Sequence, residues 1–101
     1  MSENFKEAIQ SAQPVLVDFY ATWCGPCQRM HPILEEVKNR VGDKARILKI
    51  DVDQNQQVAA EYKVSTIPTL ILFKNGMPIW REIGVQSASS LVSKIESAIS
   101  E

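Results

Sequence analysis

The chain has 101 residues, of which 45% are hydrophobic, and this is enough for a single domain over residues 1–101 that folds without disulfide or metal cross-links. A formal net charge of −1, without any run of basic residues, argues against a nucleic-acid-binding protein. The sequence shows neither an apolar signal-peptide segment nor a stretch long enough to cross a membrane, so we expect a cytoplasmic, reducing location unless a leader was trimmed. Two cysteines in such a compartment are more often catalytic or metal-binding than a permanent cross-link.

The first predicted elements are a helix and a buried strand. Apolar residues recur at helical spacing over about 4–12, and Asn4 with Glu7 three residues later fits a capping box at the start of this helix. The run at 15–20 is apolar on both alternating faces, which is typical of a central strand covered on both sides. Asp18 interrupts this run and places one carboxyl group in an otherwise apolar strand.

A second helix and a second strand complete a strand–helix–strand unit. Apolar spacing predicts a helix from 26 to about 40, and a second strand is predicted over 45–51. Such a unit favours two parallel strands joined by a right-handed crossover. Asp53 and Gln56 then fit the cap of a short helix.

The last third of the chain predicts a hairpin and a helix. A third strand covers 69–73, and the Asn-Gly pair at 75–76 is a strong hairpin signal, so 77–83 should return antiparallel. Pro78 is compatible with this fourth strand only if the strand lies at an edge of the sheet. Ser87 is the expected N-cap of a final amphipathic helix.

Both cysteines belong to the sequence Trp-Cys-Gly-Pro-Cys at 23–27, where the strand pattern gives way to a helix pattern. Proline favours the first turn of a helix, and the unpaired N–H groups and positive dipole end there stabilise an anion. Because only a thiolate attacks a disulfide, we expect Cys24, the outer thiol, to be the nucleophile. Cys27 would then resolve the mixed disulfide by attacking the sulfur of Cys24.

Two further motifs accompany the dithiol, Val-Asp-Phe at 17–19 and Ile-Pro-Thr at 67–69. With Trp-Cys-Gly-Pro-Cys at 23–27, they make the chain resemble the thioredoxin family over nearly its whole length. The resemblance implies a thioredoxin-like α/β fold with a central mixed sheet and about four helices, a cis peptide bond before Pro68 facing the dithiol, and reduction of protein disulfides. It also implies a protein without a bound cofactor, whose redox-active disulfide is recycled by thioredoxin reductase, an NADPH-dependent flavoprotein.

The chain departs from the family pattern at its start. Members usually carry a first strand that pairs beside the equivalent of 45–51, whereas only residues 1–3 precede the first helix here. We therefore expect a sheet of four strands with 45–51 at an open edge, which invites pairing with other chains. A monomer is expected, with dimerisation through this edge as the alternative. Tyr20 and Gln28 replace a common tryptophan and a frequent lysine, which affects partner preference and not the chemistry.

Cys27 faces inward in the predicted helix and needs a nearby base, for which Asp18 is the candidate. The alternative is that Asp18 is a strand-end surface residue, but its apolar neighbours favour a buried carboxylate that is hard to justify without a role. Burial should raise the pKa of Asp18 above its ordinary value. Lys49 on the neighbouring strand either pairs with Asp18, as the family suggests, or is solvated.

A substrate groove is predicted where the loop before 69 passes the dithiol. The predicted substrate-binding residues are Trp23, Gly25, Pro26, Thr66, Ile67, Pro68, Gly84 and Val85. The groove would bind an extended substrate segment by strand addition. Trp23 either covers the dithiol or serves ordinary packing.

Two other side chains have less specific interpretations. His31, one turn after Cys27, is expected at the helix surface, and tuning of the thiols is the less favoured alternative. Trp80 is expected to pack across strands.

Three other classes of function compete with disulfide reduction. A zinc site needs about four ligands, and the chain offers Cys24, Cys27 and His31, so it would require a dimer that shares the site. A non-catalytic binding module would usually not keep the complete motif. A dithiol oxidant or isomerase would differ in reduction potential, and the Gly-Pro spacer resembles that of the reductant.

Overall fold

The computed structural model describes residues 2–100, with side chains from residue 4 onward. The helices are α1 (Ser2–Ile9), α2 (Gly25–Val41), α3 (Gln56–Glu61) and α4 (Ala88–Ile99), with a short 3₁₀ helix at Gly42–Lys44. The strands are β1 (Val15–Tyr20), β2 (Arg46–Asp51), β3 (Thr69–Lys74) and β4 (Met77–Ile83). The helix and strand types predicted from the sequence are therefore confirmed.

Within residues 2–100 the strands form one mixed sheet of four, in the order β2-β1-β3-β4. β2 runs parallel to β1, whereas β3 is antiparallel to both β1 and β4. The two central strands, β1 and β3, are also the two that are almost wholly buried, because helices cover both faces of the sheet there. This confirms the predicted four-stranded sheet, with β2 at one edge and β4 at the other.

Two apolar cores flank the sheet, and alternation along the central strands assigns each residue to one of them. One core joins α2 and α4 to the sheet face that carries Leu16, Leu70 and Leu72. The other joins α1 and α3 to the opposite face. The dithiol helix α2 therefore covers the face of β1 to which Leu16 belongs.

The β3–β4 hairpin follows the expected turn chemistry. Asn75 and Gly76 both have positive φ, 54° and 80°, which is the conformation that this two-residue turn requires. Pro78 lies in an edge strand, as predicted, and the register shifts beside it, so that Leu72 pairs with Trp80 while Phe73 pairs with Pro78. An irregularity of this kind is a usual way for an edge strand to accommodate proline.

Two sequence predictions about helix ends are wrong. The first helix spans Ser2–Ile9 and not 4–12, so Asn4 lies inside it and is not its cap. The helix stops early because the hairpin turn binds the chain that follows: the N–H of Gly76 donates to the carbonyl of Ile9 at 3.0 Å, and the N–H of Asn75 donates to that of Ser11 at 2.8 Å. These are long-range contacts that helical spacing does not reveal.

The cap of α3 is the second correction. Asn55 is the residue before this helix and caps it without a side-chain hydrogen bond, so Asp53 and Gln56 do not serve as the predicted cap. The Asn55 amide instead donates to the carbonyl of Asp51 at 3.0 Å, which folds the chain back as it leaves β2. The Asp53 carboxylate instead accepts a hydrogen bond from the indole N–H of Trp23.

Candidate active site: a dithiol at the start of a helix

Cys24 is the N-cap of α2, and its sulfur accepts a hydrogen bond from the backbone N–H of Cys27 at 3.2 Å. The two cysteines form a disulfide, with their Cα atoms 5.2 Å apart. In the reduced protein the same N–H group and the positive end of the helix dipole would favour a thiolate at Cys24. The helix thus supplies the electrostatic feature that the sequence predicted for this sulfur.

The two cysteines differ in their access to solvent. Cys24 retains 5% of its surface, whereas Cys27 has none and lies wholly inside. Gly25 and Pro26, between them, are exposed in the first turn of α2. An incoming disulfide can therefore meet only the first sulfur directly.

The loop before β3 passes the dithiol, as predicted. The peptide bond between Ile67 and Pro68 is cis, and the carbonyl oxygen of Ile67 lies 4.0 Å from the Cys24 sulfur. The hydroxyl of Thr69 donates to the carbonyl of Thr66 and ties the two ends of this turn together. The expected cis peptide beside the dithiol is thus confirmed.

A second segment joins this loop from the end of β4. The N–H of Gly84 donates to the carbonyl of Pro68 at 2.8 Å, and Gly84 has a φ of +94°, a conformation that residues with a side chain rarely adopt. Its neighbours Ile83 and Val85 are 53% and 38% exposed, which leaves apolar surface at this border. The sequence did not predict Ile83 as part of this exposed surface, because the strand pattern alone does not show that its side chain faces outward.

Trp23 stands out from the surface beside the dithiol. Its side chain is 71% exposed, and its indole N–H donates to a carboxylate oxygen of Asp53 at 2.8 Å. Asp53 is itself oriented, because its N–H donates to a carboxylate oxygen of Asp51 at 2.9 Å. Asp53 was not predicted as a neighbour of Trp23, because the two residues are 30 positions apart and meet only where two loops come together.

Asp18 is fully buried, as the sequence predicted. It follows Leu16 on the same face of β1 and so faces α2, the helix that carries Cys27. Neither carboxylate oxygen has a hydrogen-bond partner among the described residues. Burial raises the pKa of Asp18 to about 6, and the positive charge of Lys49 opposes part of that rise. A carboxyl with this pKa can exchange a proton near neutral pH.

Lys49 lies directly across from Asp18 in the parallel register of β1 and β2. It is exposed, and its ammonium group is not hydrogen-bonded to Asp18, because both carboxylate oxygens lack partners in the described part of the chain. The sequence left two alternatives for Lys49, pairing with Asp18 or solvation, and the structure shows part of each. Lys49 is solvated, yet it acts on Asp18 through its charge.

His31 is more enclosed than expected for a helix-surface residue. Its ring packs edge-on against Tyr20, with ring centres 5.6 Å apart, and its Nδ1 is buried without a partner among residues 2–100. Burial, together with the charge of Lys49, lowers the pKa of His31. Trp80, by contrast, packs partly buried against the α2–α4 core, as predicted.

Two features of the described residues bear on the class of protein. Among residues 2–100 no group of three histidine, cysteine or acidic side chains is arranged to hold a metal ion. None of the helices in this part of the chain has the length and apolar character needed to cross a membrane.

Comparison with known proteins matches residues 1–97 to the family described as Thioredoxin. The chain belongs to the thioredoxin family. It is 48% identical to "Thioredoxin-like protein slr0233" of Synechocystis over 92% of this chain and 90% of that protein. It is also 50% identical to "Thioredoxin Y, chloroplastic" of rice, over 95% of this chain but only 58% of that longer protein. A thioredoxin mutant from Halobacterium salinarum superimposes with a TM-score of 0.87 at 38% identity, covering 96% of this chain and 84% of that one.

Family membership and the Cys24–Cys27 pair at bonding distance make this member a thiol-disulfide oxidoreductase that acts on protein disulfides. One further relative, a protein of Mycobacterium leprae named "Bifunctional thioredoxin reductase/thioredoxin", is 40% identical over 94% of this chain, which corresponds to 21% of that protein. It shows a thioredoxin domain and a reductase in one polypeptide.

Proposed function

We propose that Cys24 attacks the substrate disulfide and that Cys27 resolves the resulting mixed disulfide. The observation that carries this order is the unequal surroundings of the two sulfurs. Cys24 is the accessible one and accepts the N–H of Cys27, whereas Cys27 is wholly buried. The first step therefore uses a thiolate that the helix stabilises, and the second uses a thiol that is shielded until substrate is attached.

Asp18 acts as the base of the second step in this proposal. Its carboxylate takes the proton of Cys27, the Cys27 thiolate attacks the Cys24 sulfur, and the substrate leaves as a thiolate that solvent protonates. The support is its burial on the face of the sheet covered by α2, together with its raised pKa of about 6. Lys49 assists by holding the carboxylate ionised at neutral pH through its positive charge.

The groove beside Cys24 receives an extended segment of the substrate protein. Its borders are the cis-proline turn, the Gly84 segment and the Trp23 indole fixed by Asp53. The surface of this groove consists of Trp23, Gly25, Pro26, Thr66, Ile67, Pro68, Gly84 and Val85. Exposed apolar side chains beside the Cys24 sulfur suit many different disulfide proteins. Strand addition pairs with the backbone of the substrate, so it depends little on the substrate's sequence.

A flavoprotein thioredoxin reductase that uses NADPH would return the disulfide to the dithiol, and the protein itself would carry no cofactor. The fused reductase and thioredoxin of Mycobacterium leprae supports this pairing. We further propose that the protein acts as a monomer in the cytoplasm.

Insulin reduction tests the proposed cycle. The protein is mixed with a thioredoxin reductase, NADPH and insulin, and NADPH oxidation and insulin precipitation are recorded. Both should proceed only with the dithiol intact, and Cys24→Ser and Cys27→Ser should each stop turnover. Binding of partner proteins without NADPH consumption would instead indicate a non-catalytic module. Metal analysis of the reduced protein tests the zinc alternative.

A further inference from the structure

The segment between β4 and α4 borders the substrate groove, and side chains that the exchange chemistry does not use hold it in place. Gly84 lies opposite Pro68, one step beyond the paired residues Ile83 and Thr69, and its N–H donates to the Pro68 carbonyl at 2.8 Å. In an antiparallel ladder, two residues that face each other in this way exchange two hydrogen bonds. Proline has no N–H, so Pro68 cannot donate the second bond, and the Gly84 carbonyl needs another donor.

The side chain of Gln86 supplies that donor. Its amide nitrogen lies 3.3 Å from the carbonyl oxygen of Gly84 and 3.3 Å from that of Ile83, so the side chain folds back over the end of β4. A side-chain amide nitrogen carries two hydrogens and can serve both carbonyls. Gln86 therefore satisfies two backbone groups at the border of the groove.

The backbone of Gln86 is held from the other side by the dithiol helix. Its N–H donates to the sulfur of Met30 at 3.4 Å. Met30 lies in α2, three residues after Cys27, and its side chain has no exposed surface. A thioether sulfur is a weak acceptor, but leucine or isoleucine, which have a similar size, could not accept this N–H at all. Methionine at this position therefore fills the core and also binds the loop.

These hydrogen bonds form one series that connects the dithiol helix to both backbone borders of the groove. Met30 of α2 binds Gln86, and Gln86 binds Gly84. Gly84 in turn binds Pro68, in the loop that passes the Cys24 sulfur. The series therefore fixes the spacing between the Gly84 segment, the loop before β3 and the helix that carries both cysteines.

We propose that Met30 and Gln86 are positioning residues, which set the spacing of the groove so that the backbone of a protein substrate is presented correctly to Cys24. This inference rests on the proposed function, in which the groove receives an extended segment of the substrate. Neither side chain takes part in the transfer of a proton or the exchange of sulfur. Their effect is therefore on the binding of protein substrates, and a small disulfide that does not occupy the groove is independent of them.

Steady-state reduction of insulin, with NADPH and excess thioredoxin reductase, tests both positions. Gln86→Glu keeps the length of the side chain but turns a carboxylate toward two carbonyl oxygens, and Met30→Leu keeps the volume but removes the sulfur acceptor. Each should raise the KM for insulin by about fivefold, the equivalent of one ordinary hydrogen bond, and leave kcat within about twofold of the parent. Met77→Leu, on a side chain that is 64% exposed, and Gln10→Glu, beside the hairpin turn, are the matched controls and should change neither constant.

Stopped-flow measurement with a small aromatic disulfide, 5,5′-dithiobis(2-nitrobenzoic acid), isolates the exchange chemistry from binding in the groove. Attack by Cys24 on the reagent releases one coloured thiolate, and resolution by Cys27 releases the second. Both phases should keep the parental rate in Gln86→Glu and in Met30→Leu. Slowing of either phase together with a higher KM would assign the two residues to the packing of α2 and would overturn the proposal.

Amide hydrogen exchange, followed by NMR on the oxidised protein, reports on the hydrogen bonds themselves. Met30→Leu should speed the exchange of the Gln86 N–H by about fivefold, and Gln86→Glu should do the same for the Gly84 N–H. Amides in the middle of α4 should exchange as in the parent. Faster exchange with an unchanged KM would mean that these bonds hold the loop without positioning substrate, and unchanged exchange would mean that they do not hold it. Either result would overturn the proposal.

Val85→Ser separates this inference from the function on which it rests. Val85 is 38% exposed at the border of the groove and does not belong to the series of hydrogen bonds. If Val85→Ser leaves the KM for insulin unchanged, the groove assignment fails and the positioning roles fail with it. If Val85→Ser raises the KM but Gln86→Glu and Met30→Leu do not, only the positioning roles are overturned.

Discussion

Replacing Asp18 with asparagine should make the oxidised protein more stable at neutral pH. Asp18 is fully buried, and its pKa rises from 3.8 to about 6 on folding. Because the folded state holds the proton more tightly, it binds more protons than the unfolded state between these values, and stability falls as the pH rises through this window. The rise in the pKa of Asp18 from 3.8 to about 6 corresponds to about 3 kcal/mol of stability, which is lost as the pH rises through and past about 6.

The protonated parent is the appropriate reference for the amide of the variant. At low pH both proteins bury a neutral polar group that lacks partners, so their stabilities should be similar. Urea unfolding from pH 4 to pH 8 should therefore give free energies of unfolding that diverge as the pH rises. At pH 7 the variant should be more stable than the parent by about 3 kcal/mol. Asp43→Asn removes an exposed carboxylate and should show no such divergence.

The same substitution should slow the resolving attack of Cys27, since the proton acceptor is gone. A direct base contributes on the order of 10²–10⁴ in rate, and the loss should appear in the second phase of thiolate release. A variant that is less stable than the parent at pH 7, or a stability difference that does not change with pH, would refute the argument from burial. Unchanged resolution would refute the role as a base.

The remaining predictions concern the cysteines and the borders of the groove. Cys24→Ser should abolish covalent capture of substrate, whereas Cys27→Ser should accumulate a mixed disulfide through Cys24; mass spectrometry of the trapped adduct checks this, and capture through Cys27 would reverse the roles. Asp53→Ala releases the indole and should raise the KM for insulin while leaving the release of small aromatic thiolates unchanged; equal losses on both substrates would place Asp53 in the chemistry instead. Gly84→Ala places a side chain in the left-handed conformation and should lower the free energy of unfolding in urea by on the order of 1–3 kcal/mol. Gly25→Ala, whose added carbon meets nothing within 4 Å, should not lower it. Similar losses at both positions would contradict the argument from φ.

The sequence by itself determined the features that depend on local chemistry. A nearly continuous apolar run predicted β1 at 15–20, and the Asn-Gly pair at 75–76 predicted the hairpin, because this turn needs positive φ at both positions. Ser87 caps α4 as predicted, since an N-cap hydroxyl serves an N–H only three residues away. The motif at 23–27 determined the position and the chemistry of both cysteines, because the start of a helix and its dipole also depend on residues that are close in sequence.

Tertiary structure decided what depends on contacts between distant segments. The early end of α1 follows from hydrogen bonds to the hairpin turn, and Asp53 became a partner of Trp23 because two loops meet at the dithiol. The sequence predicted that Asp18 is buried. Its carboxylate oxygens lack hydrogen-bond partners because the Lys49 ammonium group does not reach them, and only the packed fold sets that position. The enclosure of His31 likewise depends on the packing of α2 against β1, which sequence periodicity does not specify. The sequence periods set which face a residue occupies, and only the packed fold sets what lies opposite it.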